Sequence, residues 1–344
     1  MIEGADVMKK ITKILMLILV VFSLCGCGKD KKEEPKKAEK KKEEIVEEIK
    51  IVDVNSDTRP YAVMINCHNE ALPHSGLQDA YIVYELLVEG GITRMMALFK
   101  DADVSKIGSI RSARTQYLDY VYENDAIYVH AGGATDAIRR INSEKISDVD
   151  VDGKYGKRDS SLNRGWEHTL FTSTELIKKG VSDKKIKDTT SKGNLLTYQA
   201  KSIDFNKYED KKEATDVSIK YSDYRTSNYK YDSTKKVYLR SMNNNSNKDL
   251  VTGKQYEVKN IITYSVNHST YEYDGYYGYQ KLSNVGSGEG YYISEGYAIP
   301  ITWKKNSKNE KTTYTVKETG KELVVNDGNT YIQIYPTSGR LTIK

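Results

Sequence analysis

The sequence predicts an α+β protein, with an amino-terminal mixed α/β module followed by a carboxy-terminal mostly-β module. Three observations predict it. From Tyr61 to about Tyr198, short apolar strand-like runs alternate with helix-like stretches, which is the texture of a mixed module. From Lys212 onward, short runs such as Val217–Tyr221, Val237–Arg240, Ile261–Val266, Tyr291–Ser294, Ile299–Trp303, Thr312–Val316 and Tyr331–Tyr335 are separated by Gly, Asn, Asp or Ser. Of 28 tyrosines, 20 lie at or after Tyr198, against only 4 phenylalanines in the chain, so tyrosine is expected to fill the half-buried sheet positions of the second module. A sugar- or polymer-stacking surface around Tyr271, Tyr273, Tyr276, Tyr277 and Tyr279 is the other reading of that cluster.

The 344 residues divide into four stretches. Residues 1–27 read as a lipoprotein export signal: Lys9, Lys10 and Lys13 precede the apolar run Ile14–Phe22, and Leu24-Cys25-Gly26-Cys27 follows Ser23. That run is too short for a helix crossing a hydrocarbon core, which takes about 20 residues. Cys27, after small Gly26, is the expected lipidation site. Met8, directly before the lysine pair, is an alternative start. Residues 28–55 read as a charged tether: positions 28–50 hold 9 lysines and 8 acidic residues and cannot bury enough surface to offset ordering. Residues 56–205 form the α/β module and 206–344 the tyrosine-rich β module.

Within the first module, Tyr61–Ile65, Ile82–Val88, Met95–Phe99 and Ala126–His130 are expected strands. Ser112–Tyr122 and Thr135–Ile146 are expected helices, with Ser112 and Thr135 as N-caps. Ile82–Phe99 is expected to form a hairpin turning tightly at Gly90-Gly91. In that register Leu87 opposes Arg94, so Glu85, Glu89 and Arg94 share a face and stand within reach of one another. Either a ligand site or a structural ion-pair cluster satisfies this pattern. Arg111 and Arg114 flank the expected helix start, where backbone donors and two guanidinium groups suit a phosphate, carboxylate or sulfate. His130 is placed at the carboxyl end of a strand, beside Gly132-Gly133, and His168 lies in a loop after Arg164 and Trp166. The expected ligand-binding set is therefore Glu85, Glu89, Arg94, Arg111, Arg114, His130 and His168.

Several functions find no foothold. A net charge of +5 over this length gives no field that nominates nucleic acid. Three cysteines exclude a disulfide framework. There is no metal-ligand spacing, no Walker loop and no nucleophile elbow, so no metal and no cofactor are expected. Cys67-His68 makes a poor thiol and base pair, because neighbours on a strand point to opposite faces.

The stretches Arg59-Pro60-Tyr61-Ala62-Val63-Met64-Ile65-Asn66, Ser75-Gly76-Leu77, Glu89-Gly90-Gly91-Ile92-Thr93-Arg94, Arg111-Ser112-Ala113-Arg114 and His130-Ala131-Gly132-Gly133 resemble the YerB-like family of Gram-positive lipoproteins. The resemblance continues through Tyr238-Leu239-Arg240, Gly286-Ser287-Gly288 and Ile301-Thr302-Trp303-Lys304. It implies two modules and a surface lipoprotein of unsettled role. The chain departs from the family pattern at Cys67, where asparagine is usual, at Leu72 (arginine) and at Tyr331 (tryptophan). Around His168 it has Glu167-His168-Thr169 instead of Pro-His-Asn. The expectation is a lipoprotein anchored through Cys27 to the outer face of the cytoplasmic membrane, binding an anionic envelope ligand or a wall protein through its charged cleft. An enzyme acting on a phosphate-bearing wall precursor or glycopolymer, and a protein-interaction scaffold, are the alternatives. The arginine-rich junction is similar in layout to the phosphate site of the LytR-CpsA-Psr phosphotransferases.

Overall fold

The computed structural model describes residues 48–344, so Cys27 and the signal lie outside the described residues. The chain is seated from Ile49 onward. The Lys50 and Ile51 amides donate to the Asp327 carboxylate at 3.0–3.1 Å, and Val52 is buried.

An eleven-stranded sheet runs through the described unit. Its middle is formed, in spatial order, by Asn260–Val266, Thr330–Pro336, Ile82–Leu87, Thr93–Phe99 and Tyr61–Asn66. Strands of the two sequence stretches meet at a parallel seam, with Ile82 opposite Thr330 and Leu86 opposite Ile334. Ile82–Leu87 and Thr93–Phe99 are buried along their whole length. Near-continuous apolar runs form such strands because both faces are covered.

Alternation along the strands decides what each face meets. Tyr84, Leu86, Met96 and Leu98 pack with Tyr117, Leu118, Tyr120 and Val121, contributed largely by the short helix Leu118–Glu123. Val83, Leu87, Met95 and Ala97 face the other way, in one cluster with Val217, Ile219, Tyr221, Tyr229 and Tyr238. All but Tyr221, which directly follows the first of these strands, lie on a second, six-stranded sheet that includes Asp216–Lys220, Thr226–Asp232 and Val237–Met242. On this sheet Tyr229 and Tyr238 are buried and Tyr231 is half-buried, so tyrosine fills sheet positions there. Tyr276 and Tyr277, at the turn of the separate hairpin His268–Leu282, are exposed instead.

Three local expectations need correction. The hairpin closes through Val88 N–H donating to Ile92 O at 2.8 Å, so Glu89-Gly90-Gly91 forms a three-residue loop with Gly90 and Gly91 at φ of 70° and 69°. Leu86 therefore opposes Arg94, and Leu87 opposes Thr93. A slip of one residue sends a side chain to the other face, so Arg94 leaves the face of Glu85. The second correction concerns Ser112, which caps no helix. Arg111–Ala113 is extended, with Arg111 N–H donating to Met64 O and Ala113 bridging Gly133, and helical structure begins at Thr115. Backbone pairing with two neighbouring segments outcompetes the helix there. The helix Thr135–Glu144 is present, but Ala134 and not Thr135 occupies its cap.

Candidate functional site

The strand Tyr61–Asn66 delivers a polar run, Asn66 to Glu70, at its carboxyl end. The Asn66 amide is fixed at both ends. Its Oδ1 accepts from His68 N–H at 3.0 Å, which leaves its Nδ2 to donate to His168 Nδ1 at 2.9 Å. His68 precedes the single turn Asn69–Ala71, and its Nδ1 accepts from Glu70 N–H at 3.3 Å. His168 arrives from a second turn, Trp166–His168, and its ring stacks on that of His68 with centroids 4.8 Å apart and planes 8° from parallel.

These bonds assign the protons. A neutral imidazole that accepts at Nδ1 carries its hydrogen on Nε2. Both stacked rings are therefore Nε2–H donors. Burial first, and then the neighbouring His68, hold the His168 pKa below its ordinary 6.5, which favours the neutral ring. The His168 Nε2 lies 3.5 Å from Glu70 Oε2 and 3.8 Å from Glu167 Oε1, and both carboxylates are more than half exposed.

Arg111 lies beside this pair. Its Nη2 is 3.7 Å from Glu167 Oε1, a long contact to an exposed carboxylate. Arg158 closes the cluster: it donates to Trp166 O at 2.8 Å, pairs with Asp152 at 2.9 Å and lies over the Trp166 ring at 3.2 Å. The Trp166 side of this stack is 67% exposed, an unusual position for so large an apolar ring.

His68, Glu70 and His168 could supply three metal-ligand atoms, all within 4.8 Å of one another. The hydrogen bonds oppose that use at His168. Its Nε2 could face a cation only with the hydrogen moved to Nδ1, which would then meet the Asn66 amide donor. Reversing that amide would set an N–H against His68 N–H. The donor arrangement suits an anion or a hydroxylated ligand better than a metal ion.

The seven residues expected from sequence separate into distinct settings. His168 and Arg111 belong to the cluster just described. Arg114 forms a two-pronged contact with Glu89, at 2.7 and 2.9 Å, so these charges largely answer each other. Arg94 is 6% exposed and donates to the Ser112 carbonyl. Burial, followed by the like charge of Arg114, pushes its pKa down, and an arriving anion would relieve that pressure. His130 is buried at its strand end, with Nδ1–H donating to Gly132 O at 2.8 Å and Nε2 3.4 Å from Asp148. Its neighbour Ala131 donates to Arg111 O, so backbone alone links it to the arginine segment.

Glu85 lies apart from the others. It is fully buried on the opposite sheet face, where Arg240 donates to it at 2.9 Å, Thr93 at 2.7 Å and Ser227 at 2.9 and 3.0 Å. A cleft of about 870 Å³ lined by Gly76, Asp79, Asp103, Asp249, Tyr256 and Glu257 contains none of the seven.

Sequence reasoning missed Asn66 as an orienting group, His68 and Glu70 as neighbours of His168, and the Arg158–Trp166 stack. A signal was present in the abrupt change from an apolar strand to Asn66-Cys67-His68-Asn69-Glu70. Their convergence with a loop about a hundred residues later was not in it.

Residues 49–187 match the N-terminal domain of a protein of unknown function (DUF3048), and residues 217–332 match its C-terminal domain. The chain is 30% identical over 338 residues to "Putative lipoprotein YerB" of Bacillus subtilis (strain 168), covering 96% of each chain. The crystal structure of the YerB protein from Bacillus subtilis superimposes with a TM-score of 0.71 at 28% identity, over 83% of this chain and 94% of that one. The α+β architecture and the two-part organisation agree with the sequence expectation. The chain belongs to the DUF3048 family and is a relative of the YerB protein of Bacillus subtilis.

Proposed function

We propose that this protein is a membrane-anchored envelope lipoprotein that holds an anionic cell-envelope ligand against the His68–His168–Arg111 face. One observation carries the reading. Two stacked imidazoles, each with its hydrogen on Nε2, stand beside a guanidinium whose carboxylate partner is long and exposed. Charge-assisted bonds from a guanidinium to phosphate or carboxylate are strong and directional. Glu167 is displaceable, because an exposed ion pair contributes about 0–1 kcal/mol. Trp166, fixed by Arg158, offers a ring face for a sugar or other partly apolar moiety next to the charge.

The anchor rests on the export signal, on Cys27 and on the name of the Bacillus subtilis relative. No helix among the described residues is long and apolar enough to cross a membrane. Lipid attached at Cys27 would tether the protein to the outer face of the cytoplasmic membrane, where wall polymers are within reach. Arg111→Ala and His168→Gln should each weaken retention of the protein on anionic wall polymer by ten-fold or more in a sedimentation assay. Retention equal to that of the unaltered protein in both variants would reject the assignment of this face.

A further inference from the structure

Between the central sheet and the second sheet, the interior carries more positive charge than its side chains neutralise. Arg240 is answered by Glu85, and both are fully buried. That carboxylate is also occupied by Thr93 and Ser227. Arg225 enters the same interior from the turn between Asp216–Lys220 and Thr226–Asp232, and is only 1% exposed. Its Nη2 donates to Cys67 O at 2.6 Å and to Asn69 Oδ1 at 3.4 Å, neither of them a charged acceptor. Its Nε and Nη1 are buried and have no partner among the described residues.

Further groups without a partner among the described residues lie in this layer: Arg240 Nε, Gln333 Nε2 and the hydroxyls of Tyr229 and Tyr331. Arg240 lies 5.9 Å from the Tyr331 ring, and Gln333 is the strand partner of Glu85. Cys67 is the remaining candidate for a counter-charge. Burial pushes its thiol pKa up to about 12, so it stays uncharged. An uncompensated buried charge is strongly destabilising, and neutral acceptors do not supply the missing charge.

We propose that a small monovalent inorganic anion of the chloride type is bound in this interior against Arg225, as a structural counter-ion between the two sheets. It would also brace the Cys67–Asn69 segment, which Arg225 grips and which carries His68. This site is separate from the surface face proposed above, and neither reading depends on the other.

Crystals of the protein grown in sodium bromide test it, together with melting curves in sodium chloride and in sodium gluconate at equal ionic strength. Gluconate is too large to enter. The expected result is an anomalous bromide peak in contact with Arg225 and a melting temperature that rises with halide and saturates. At a hundred times the dissociation constant the rise should be about 4 °C for a unit of this size. Arg225→Met should remove both signals. If that variant does not fold, the bromide map and melting curves of the unaltered protein decide alone. Equal melting in the two salts, or bromide found only as adventitious surface ions, overturns the proposal. So does a thiolate absorbance in the native protein that disappears in Cys67→Ser, because Cys67 would then be the counter-charge.

Discussion

Replacing Glu85 by glutamine should destabilise the fold and leave the ligand face intact. The carboxylate keeps Arg240 neutralised at 2.9 Å in a fully buried setting. Removing one partner of such a pair costs about 3–5 kcal/mol, since the other charge remains buried without compensation. Here the effect should sit at the upper end, because neither Glu85 nor Arg240 has any exposure to solvent. For roughly 300 residues, an unfolding entropy of about 0.6 kcal/mol per degree turns this loss into about 5–8 °C. Urea denaturation and calorimetry would measure it.

The double variant Glu85→Leu/Arg240→Met should recover part of the loss, because an apolar pair of similar volume leaves no stranded charge. Burial raises the Glu85 pKa, but Arg240, Thr93 and Ser227 outweigh it, so the folded value lies below the ordinary 4.5. Its contribution is therefore present above about pH 4.5 and is lost as the pH falls through the depressed value. Unchanged stability in Glu85→Gln, together with lost ligand binding, would refute the structural assignment and restore Glu85 to the site.

Three further outcomes follow. Burial, with Arg240 adding to it, pushes the His74 pKa down to about 3, so between pH 6.5 and 3 the unfolded chain binds a proton that the folded one does not. Stability should fall by about 1.4 kcal/mol per pH unit as the pH drops through that window, and His74→Gln should remove this component of the slope in pH-dependent denaturation. Asn66→Asp should switch the tautomer of the His168 ring in place, with Nδ1–H donating to the new carboxylate and the Nε2 lone pair freed. Calorimetry should then show zinc binding that the unaltered protein lacks, and equal zinc binding by both would contradict the proton assignment. Cys27→Ala should release the protein into the medium, and membrane retention seen by cell fractionation would refute lipidation at that residue.

Much of the architecture was legible because apolar period and turn residues are local signals. The strands around Tyr61–Asn66, Ile82–Leu87 and Ile127–His130 follow directly from them. The hairpin register was not legible, because Glu89-Gly90-Gly91 admits a two- or a three-residue turn, and one residue decides which face Arg94 occupies. Ser112 resembles a helix cap in sequence. It is extended because Met64 and Gly132 supply backbone partners from segments distant in the chain. Glu85 shows the same limit in energetic terms: a carboxylate on a strand looks like a cleft residue until Arg240, 155 positions later, covers it. Of the expected site, Arg111 and His168 adjoin one cluster, whose other members became recognisable only when two distant turns stacked their histidines.

The central claim is that neutral, Nε2-protonated His68 and His168 act with Arg111 to bind an anion. Titration of the protein with inorganic phosphate, followed by the imidazole nitrogen resonances, tests it most directly. The account predicts an Nε2–H pattern for both rings before addition, saturable shifts at both on addition, and loss of those shifts in Arg111→Ala. An Nδ1–H pattern at His168, or phosphate shifts that persist unchanged in Arg111→Ala, would contradict it.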